Sequence, residues 1–424
     1  MLGNNKIIQP SHDKILTLIF SRFVPLLEAP AEEKSTPLET LSIEESFNKS
    51  DDPASLSHTQ NFLTSLSKAT TSKSTISFNS SSSFKSSVSS LSIKDELVAK
   101  VVPGRIFSLA IHPSSTPLVA AVGDKSGHVG LWDIFATSSP NHGVHLYQPH
   151  TRPVNCISWD LANTNNLVST SYDGTVRLLD TEKQEHTMLY GEKEFLDWGG
   201  WTSSHAQMSP DTFLISQGTN GKVVLVDRRV RWTSPVTTFN VFDRLHPKTL
   251  SVHPVHNNLF LTCNNKGGCY IFDTRNSNNS TTKLLEPVSE LLGHTKSLSC
   301  CYFSPVTGNQ VVTMSTDDKL RLFNTTTTSK TISPQCQVKH NNQTGRWLTP
   351  FRASWHPTRE GMLVTGSMER PRQIEVWGSS SGSLEMVGRL RGEELGSVCS
   401  LVGIHHSREV VVGGNSSGRV HVFM

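Results

Sequence analysis

The chain has 424 residues, with 39 Lys+Arg against 36 Asp+Glu and a net charge of +3. That length suits one large domain plus an extension, and so mild a charge neither demands nor excludes a polyanionic partner. Seven cysteines, odd in number, scattered and without a C-x-x-C pair, predict reduced thiols of a cytosolic or nuclear protein rather than a disulfide framework or a zinc site.

From the N-terminus, no apolar run reaches the length needed to cross a bilayer and no signal peptide is evident. Residues Ile15 to Leu27, interrupted by Arg22 and Pro25, read as a short amphipathic helix. Residues 1–94 are Ser-, Thr-, Lys- and Glu-rich and poor in aromatics, most of all from Ser72 to Ser92. Such a segment buries too little apolar surface to offset the entropy of ordering, so this tail is expected to be largely disordered, carrying phosphorylation sites or a short docking helix.

Residues 95–424 repeat one pattern: an apolar strand, a turn that often contains Pro, a second strand, a Gly/Asp/Asn turn, and a third strand ending in a bulky residue. The first copy runs through Ile106–Pro113, Leu118–Val122 and His128–Asp133; the second through Val154–Trp159, Leu167–Ser171 and Thr175–Asp180. Later copies end at Val226-Asp227, Phe272-Asp273, Phe323-Asn324, Trp377 and Phe423. The closing residues Trp132, Leu179, Val226, Phe272, Phe323, Trp377 and Phe423 recur about every 46 to 54 residues, near the WD-repeat period. Seven such units predict an all-β, seven-bladed WD40-type propeller. Because the chain stops after the third strand of the last unit, Leu97 to Val102 is expected to supply that blade's outer strand and close the ring.

His150 with Asp173, and His294 with Asp317, occupy places where WD units hold a buried hydrogen-bond network, so structural duty is expected of them. The His-Pro pairs at His112, His253 and His356 fall in turns between first and second strands. No P-loop, G-x-S-x-G, H-E-x-x-H or paired Cys/His ligand set occurs, so no enzyme activity, cofactor or metal is expected.

Repeat phase also assigns faces. Connections into first strands and second-to-third turns share one face, which carries Arg105, Lys125, Arg152, Lys248, Lys266, Lys296, Lys319, Arg346, Arg352, Arg370 and Arg372 against few acids, chiefly Asp124, Asp173, Asp318 and Glu369. A ring of cations suits phosphate backbones, although solvated loops are also rich in Lys and Arg. On the same face the long connection Gln337 to Thr349 carries Arg346-Trp347. Exposed, Trp347 would stack on or unstack bases; packed down, it would cover a blade edge. The opposite face carries two Asp-x-Arg endings, Asp227–Arg229 and Asp273–Arg275, whose arginines are placed to pair with a protein partner.

At Val102–Pro113, Val122–Trp132, Leu225–Arg229, Thr344–Leu348 and Gly366–Arg372 the chain resembles the WD-repeat protein 76 family of DNA damage-binding proteins, which is related to damage-specific DNA-binding protein 2. The resemblance covers the propeller from about Lys100 onward. It implies nuclear binding of DNA, including UV-damaged duplex, or of chromatin, and service as a substrate receptor docked to the large damage-binding adaptor of a cullin-4 ubiquitin ligase. Arg105, Lys125 and Lys248 match DNA-contacting basic residues of the related protein. Gly345-Arg346-Trp347 falls where that protein inserts a Phe-Gln-His wedge, and Arg275 matches its adaptor-docking Arg. Two departures stand out: the wedge tripeptide differs, and Phe272 or Val226 precedes the Asp where that protein has Trp. The alternative from another class is a scaffold that reads a peptide or histone tail across the channel without touching DNA.

Overall fold

The computed structural model describes residues 39–47, 53–69, 87–137, 139, 141–191, 200–218, 220–233, 235–276, 284–327, 329–380 and 382–424. Seven sheets follow one another along the chain, antiparallel throughout except where Thr331–Ile332 pairs parallel with Ser289–Leu291 of blade 4. Blade 1 is Ile106–Ile111, Val119–Asp124, Val129–Asp133 and Val144–Tyr147, from inner to outer strand. Blades 2 to 6 repeat the order with inner strands Val154–Trp159, Thr202–Gln207, Leu250–Val252, Leu298–Phe303 and Ser354–Trp355. Blade 7 takes Cys399–Ile404, Val411–Asn415 and Arg419–Phe423 from the C-terminus and Val98–Lys100 from before blade 1. That last strand pairs antiparallel with Arg419–Phe423, Ala99 opposite Val420, so the ring closes as the repeat phase predicts. Blade 7 is thereby stitched from both ends of the propeller, which leaves no long edge open.

The sheets stack through apolar layers. Val168, Val176 and Tyr190 of blade 2 meet Phe213, Ile215 and Val224 of blade 3, all buried. Phe260 and Phe272 of blade 4 stack at 5.4 Å in the next layer. Middle strands such as Val119–Asp124 are buried along their whole length, because a neighbouring blade covers each face.

Second-to-third turns recur with the same chemistry. Asp124 accepts the Ser126 and His128 backbone N–H groups, and Asn415 accepts those of Ser417 and Arg419. Gly127 and Gly418 close these turns at φ 95 and 82, and a Cβ on either would strike a backbone carbonyl of the adjacent connection. Each turn thus carries its variable residues on a fixed base.

The described parts of the tail, 39–47, 53–69 and 87–94, include a docking helix of the kind expected there. Ser42 and Glu45 form a reciprocal capping box on the short helix Ile43–Ser46, and Thr40–Ser42 adds a fifth strand outside Glu185–Gly191 of blade 2. The helix Pro53–Ser67 then lies over blades 1 and 2, with Thr59, Leu63 and Leu66 fully buried against their shared apolar layer. Phe62 stacks on His145 at 4.1 Å, and Thr59 Oγ1 lies 2.9 Å from His145 Nδ1. Further along, Ser92 exchanges two backbone hydrogen bonds with Met424. Composition averaged over 94 residues conceals this strap, because its few apolar residues stand at helical spacing among serines. Glu39–Met424 accordingly forms one compact unit. The Ile15–Leu27 expectation and most of the Ser72–Ser92 stretch lie outside the described residues.

Candidate nucleic-acid interface

The cationic face is built outward from blade 1. The Lys125 N–H donates to the Arg105 carbonyl at 3.0 Å, so entry strand and turn rise together. Lys125 and Arg152 are exposed and have no side-chain partner among the described residues.

The connection from blade 5 to blade 6 is the dominant feature. At its base His340 is buried, with Nδ1 2.6 Å from Asn342 Oδ1 and Nε2 3.0 Å from the Gly366 carbonyl. Asn342 Nδ2 donates to Ser315 O at 2.7 Å, and its N–H donates to Asp318 at 2.8 Å, tying the base to blade 5. Gly345, at φ 60 with open space around it, turns the tip. Trp347 is 79% exposed there, so it covers no blade edge, and Arg346 beside it is exposed as well. The returning limb crosses to blade 1: Arg105 Nη1 donates to Arg346 O at 2.7 Å, and Thr349 Oγ1 donates to Ile106 O at 2.5 Å. The aromatic tip is therefore held from both sides, which removes much of the ordering cost of an encounter.

Arg352 departs from expectation. It does not join the rim cations, because its Nη1 reaches across to the Asn155 carbonyl of blade 2 at 2.8 Å. A bulge between Val154 and Cys156 leaves Asn155 out of the strand ladder, which frees that carbonyl to accept. Arg352 is thus a brace across the ring. Lys248 departs in the same direction. It is half-buried and donates to Ser297 Oγ at 2.7 Å and Leu298 O at 3.0 Å, locking blade 4 to blade 5, and burial lowers its pKa from the ordinary 10.5. Arg372 donates to Met368 O at 2.8 Å, whereas Arg370 is exposed and without a side-chain partner among the described residues.

On the opposite face each Asp-x-Arg ending closes on itself. Asp227 accepts Arg229 Nη2 at 2.6 Å, and Asp273 accepts Arg275 Nη2 at 2.7 Å. The hydrogen bonds from Arg229, set against a small desolvation cost, hold Asp227 down to about 2. Both guanidinium groups remain largely exposed, at 67% and 72%. Arg228, which sequence reasoning passed over, instead bonds Asp160 of blade 2 at 2.8 Å and Asp211 at 3.1 Å. Of the eight exposed large hydrophobic residues described, Phe135, Leu161, Val230, Val236, Val255 and Leu284 lie in connections of this face.

Framework histidines do the expected work in blade 2. His150 bonds Asp173, Thr175 and Ser169 at 3.1, 3.0 and 2.8 Å. In blade 5 the arrangement differs: His294 bonds Thr313 at 2.9 Å, while Asp317 is taken by Arg321 at 2.7 Å. A buried guanidinium with two parallel donors outcompetes the imidazole for that carboxylate. His112, His253 and His356 each accept backbone N–H groups at Nδ1 within their turns, and His405 repeats this in blade 7. All seven cysteines are free, Cys300 and Cys301 fully buried. Among the described residues no group of three or more His, Cys, Asp or Glu is placed to hold a metal ion, and no helix is long and apolar enough to cross a membrane.

Seven four-stranded blades carrying these turn and histidine networks define a WD-repeat β-propeller, a fold that works by presenting its loops to partners. The family model for the WD domain, G-beta repeat, matches residues 142–180. The chain has homologues named WD repeat-containing protein 76. It is 42% identical over 334 residues to that protein from Xenopus laevis (78% of this chain, 55% of the relative) and 37% identical over 343 residues to the one from Mus musculus (81% and 53%). It is also 25% identical over 358 residues to DNA damage-binding protein cmr1 of Aspergillus terreus (77% and 65%). The chain spans about half the length of the WD repeat-containing protein 76 relatives it matches.

Proposed function

We propose that this propeller binds duplex DNA in the nucleus, in a DNA-damage or chromatin context, through the face that carries Trp347. The observation that carries this reading is the exposed Trp347 on a loop tied down at Arg346 and Thr349, on the face where Lys125 and Arg152 have no side-chain partner among the described residues. A side chain so exposed and so firmly mounted contributes little to folding and is well made for stacking on a base or opening a base step. Arg105, Lys125, Arg152 and Arg346 supply phosphate contacts around it, with Arg370 and Arg372 further round blade 6. The relatives named as DNA damage-binding proteins support the same reading. Lys248 and Arg352 act beneath this surface as supports.

The test is titration of the full chain with duplexes with and without a UV lesion at several salt concentrations. Wild type is expected to bind with a steep salt dependence, the slope falling by about 0.9 for each phosphate contact removed in Lys125→Glu and Arg152→Glu. Trp347→Ala is expected to reduce any preference for the lesion while keeping the salt slope. Absence of binding by wild type at low salt overturns the reading.

The opposite face favours a second role. Six exposed apolar side chains beside two pre-formed Asp-Arg pairs make an anchor-and-rim surface for a protein, which suits docking to the large adaptor of a cullin-4 ubiquitin ligase. Arg275→Glu together with Val255→Asp is expected to abolish co-purification of that adaptor and to leave DNA binding intact. The scaffold alternative, a tail read across the channel, is disfavoured by the Arg352 brace, which spans from blade 6 to blade 2.

A further inference from the structure

At the junction of blades 5 and 6 the rim holds a recess of about 340 Å³, of whose cations the DNA reading uses Arg370 alone. Its cations come from three elements: Lys339 ends the outer strand Cys336–Lys339, Arg370 lies in the second-to-third connection of blade 6, and Arg389 and Arg391 end the outer strand Ser383–Leu390 and its continuation. Lys339, Arg370 and Arg389 have no side-chain partner among the described residues, and Arg391 spends Nε and Nη2 on Gln373 Oε1 at 2.9 and 2.6 Å. Two carboxylates share the site. Glu375 is buried and already engaged, Oε1 accepting from Ser367 Oγ at 2.8 Å and Gln373 Nε2 at 3.0 Å while Oε2 faces His340. Glu369 is exposed. Trp377 and Met386 add an apolar part to the lining.

We infer that this recess binds a phosphorylated Ser or Thr side chain of a partner peptide. Four cations converging on one concavity, with a single carboxylate left uncommitted, fit a group carrying close to two negative charges and three acceptor oxygens. The apolar lining suits the aliphatic stem that bears the phosphate. A DNA phosphate carries one charge and is flanked by sugars on both sides, so it rides over a rim more readily than it enters a recess. Fork-shaped guanidinium groups on one strand, its continuation and one loop, with the Lys339 ammonium from a second strand, can grip the phosphate from several directions, which a flat cationic patch cannot do.

The full chain would be titrated by fluorescence anisotropy with a labelled peptide pool holding one central phosphoserine or phosphothreonine between randomised flanks. The same pool without phosphate, and an undamaged duplex, serve as parallel probes, with inorganic phosphate as competitor. The phosphorylated pool is expected to bind about tenfold or more tighter than the plain pool, as charge-assisted hydrogen bonds of this number would give. Lys339→Glu/Arg389→Glu should bring it down to the plain-pool level, with Arg389→Glu alone as a milder second variant. Both residues are exposed at the surface, and unchanged circular dichroism would verify the fold. Equal binding of the two pools, or phosphopeptide binding unchanged in the double variant, overturns the inference. Duplex affinity falling in step with phosphopeptide affinity assigns the recess to the DNA track and overturns it too. Phosphopeptide binding stands whether or not the duplex binds to wild type, so failure of this inference and failure of the DNA reading are separable.

Discussion

Arg352 donates from blade 6 to a blade 2 carbonyl that a bulge has left outside its ladder, so its loss strands a buried acceptor. Arg352→Met is expected to lower stability by about 1–3 kcal/mol, the usual cost of an unmade buried hydrogen bond, read as a lower urea midpoint at unchanged m. Trp347→Ala is its opposite. With 79% of the side chain in solvent, the substitution should shift stability by no more than about 0.5 kcal/mol while changing DNA binding. A large loss of stability in that variant would mean that Trp347 packs in solution and is not a recognition group. Sequence phase put both residues on one face because it sees which connection a residue occupies. It does not see which way a side chain turns, and only the contact between Arg352 and Asn155 separates brace from probe.

At the scale of elements, the strap formed by Thr40–Ser42 and Pro53–Ser67 binds blade 1 to blade 2 from outside. Leu63 is fully buried, and Leu63→Ala should cost roughly 2–5 kcal/mol of docking free energy. Hydrogen exchange would report it, with faster exchange over 53–67 and over the outer strand Glu185–Gly191 and little change in blades 4 and 5. Uniform acceleration around the ring would contradict a local clasp. The blades were legible in the sequence because each carries about fifty residues of regular pattern. The strap was legible only as the expectation of a short docking helix somewhere in the tail, since Leu56, Thr59, Leu63 and Leu66 make one stripe inside a stretch whose average is that of a linker. The loop 340–352 was legible as an insertion with an aromatic tip. Its crossing to Arg105 and Ile106, more than two hundred residues away in sequence, was not.

Over the whole molecule, pH should matter more than the near-neutral net charge suggests. Burial lowers the pKa of His112, His145, His294, His406 and His421 from 6.5 to about 4, and that of His186 and His356 to about 3. Below pH 6.5 the unfolded chain takes up protons that the native ring refuses, so stability is complete above that value and declines as pH falls toward 4. Each such histidine favours the unfolded chain as pH falls, and all seven act in the same direction. The melting temperature is therefore expected to fall as pH drops from 6.5 to 4.5. A melting temperature constant across that interval would show that these imidazoles protonate in place.

What the amino-acid sequence determined by itself was the count of blades, their phase, the closure of blade 7 by Val98–Lys100 and the face of each loop. The count, phase and faces follow from local periodicity and turn chemistry, and the closure follows from a last unit one strand short of the repeat. Tertiary structure decided which cations stay free. Lys248 and Arg352 are drawn inward because buried carbonyls on other blades need donors. Lys125 and Arg152 remain in solvent, and Lys339, Arg370, Arg389 and Arg391 converge on one recess because adjoining blades bring their edges together. A charge's availability depends on partners far away in sequence, and only the closed ring sets those distances.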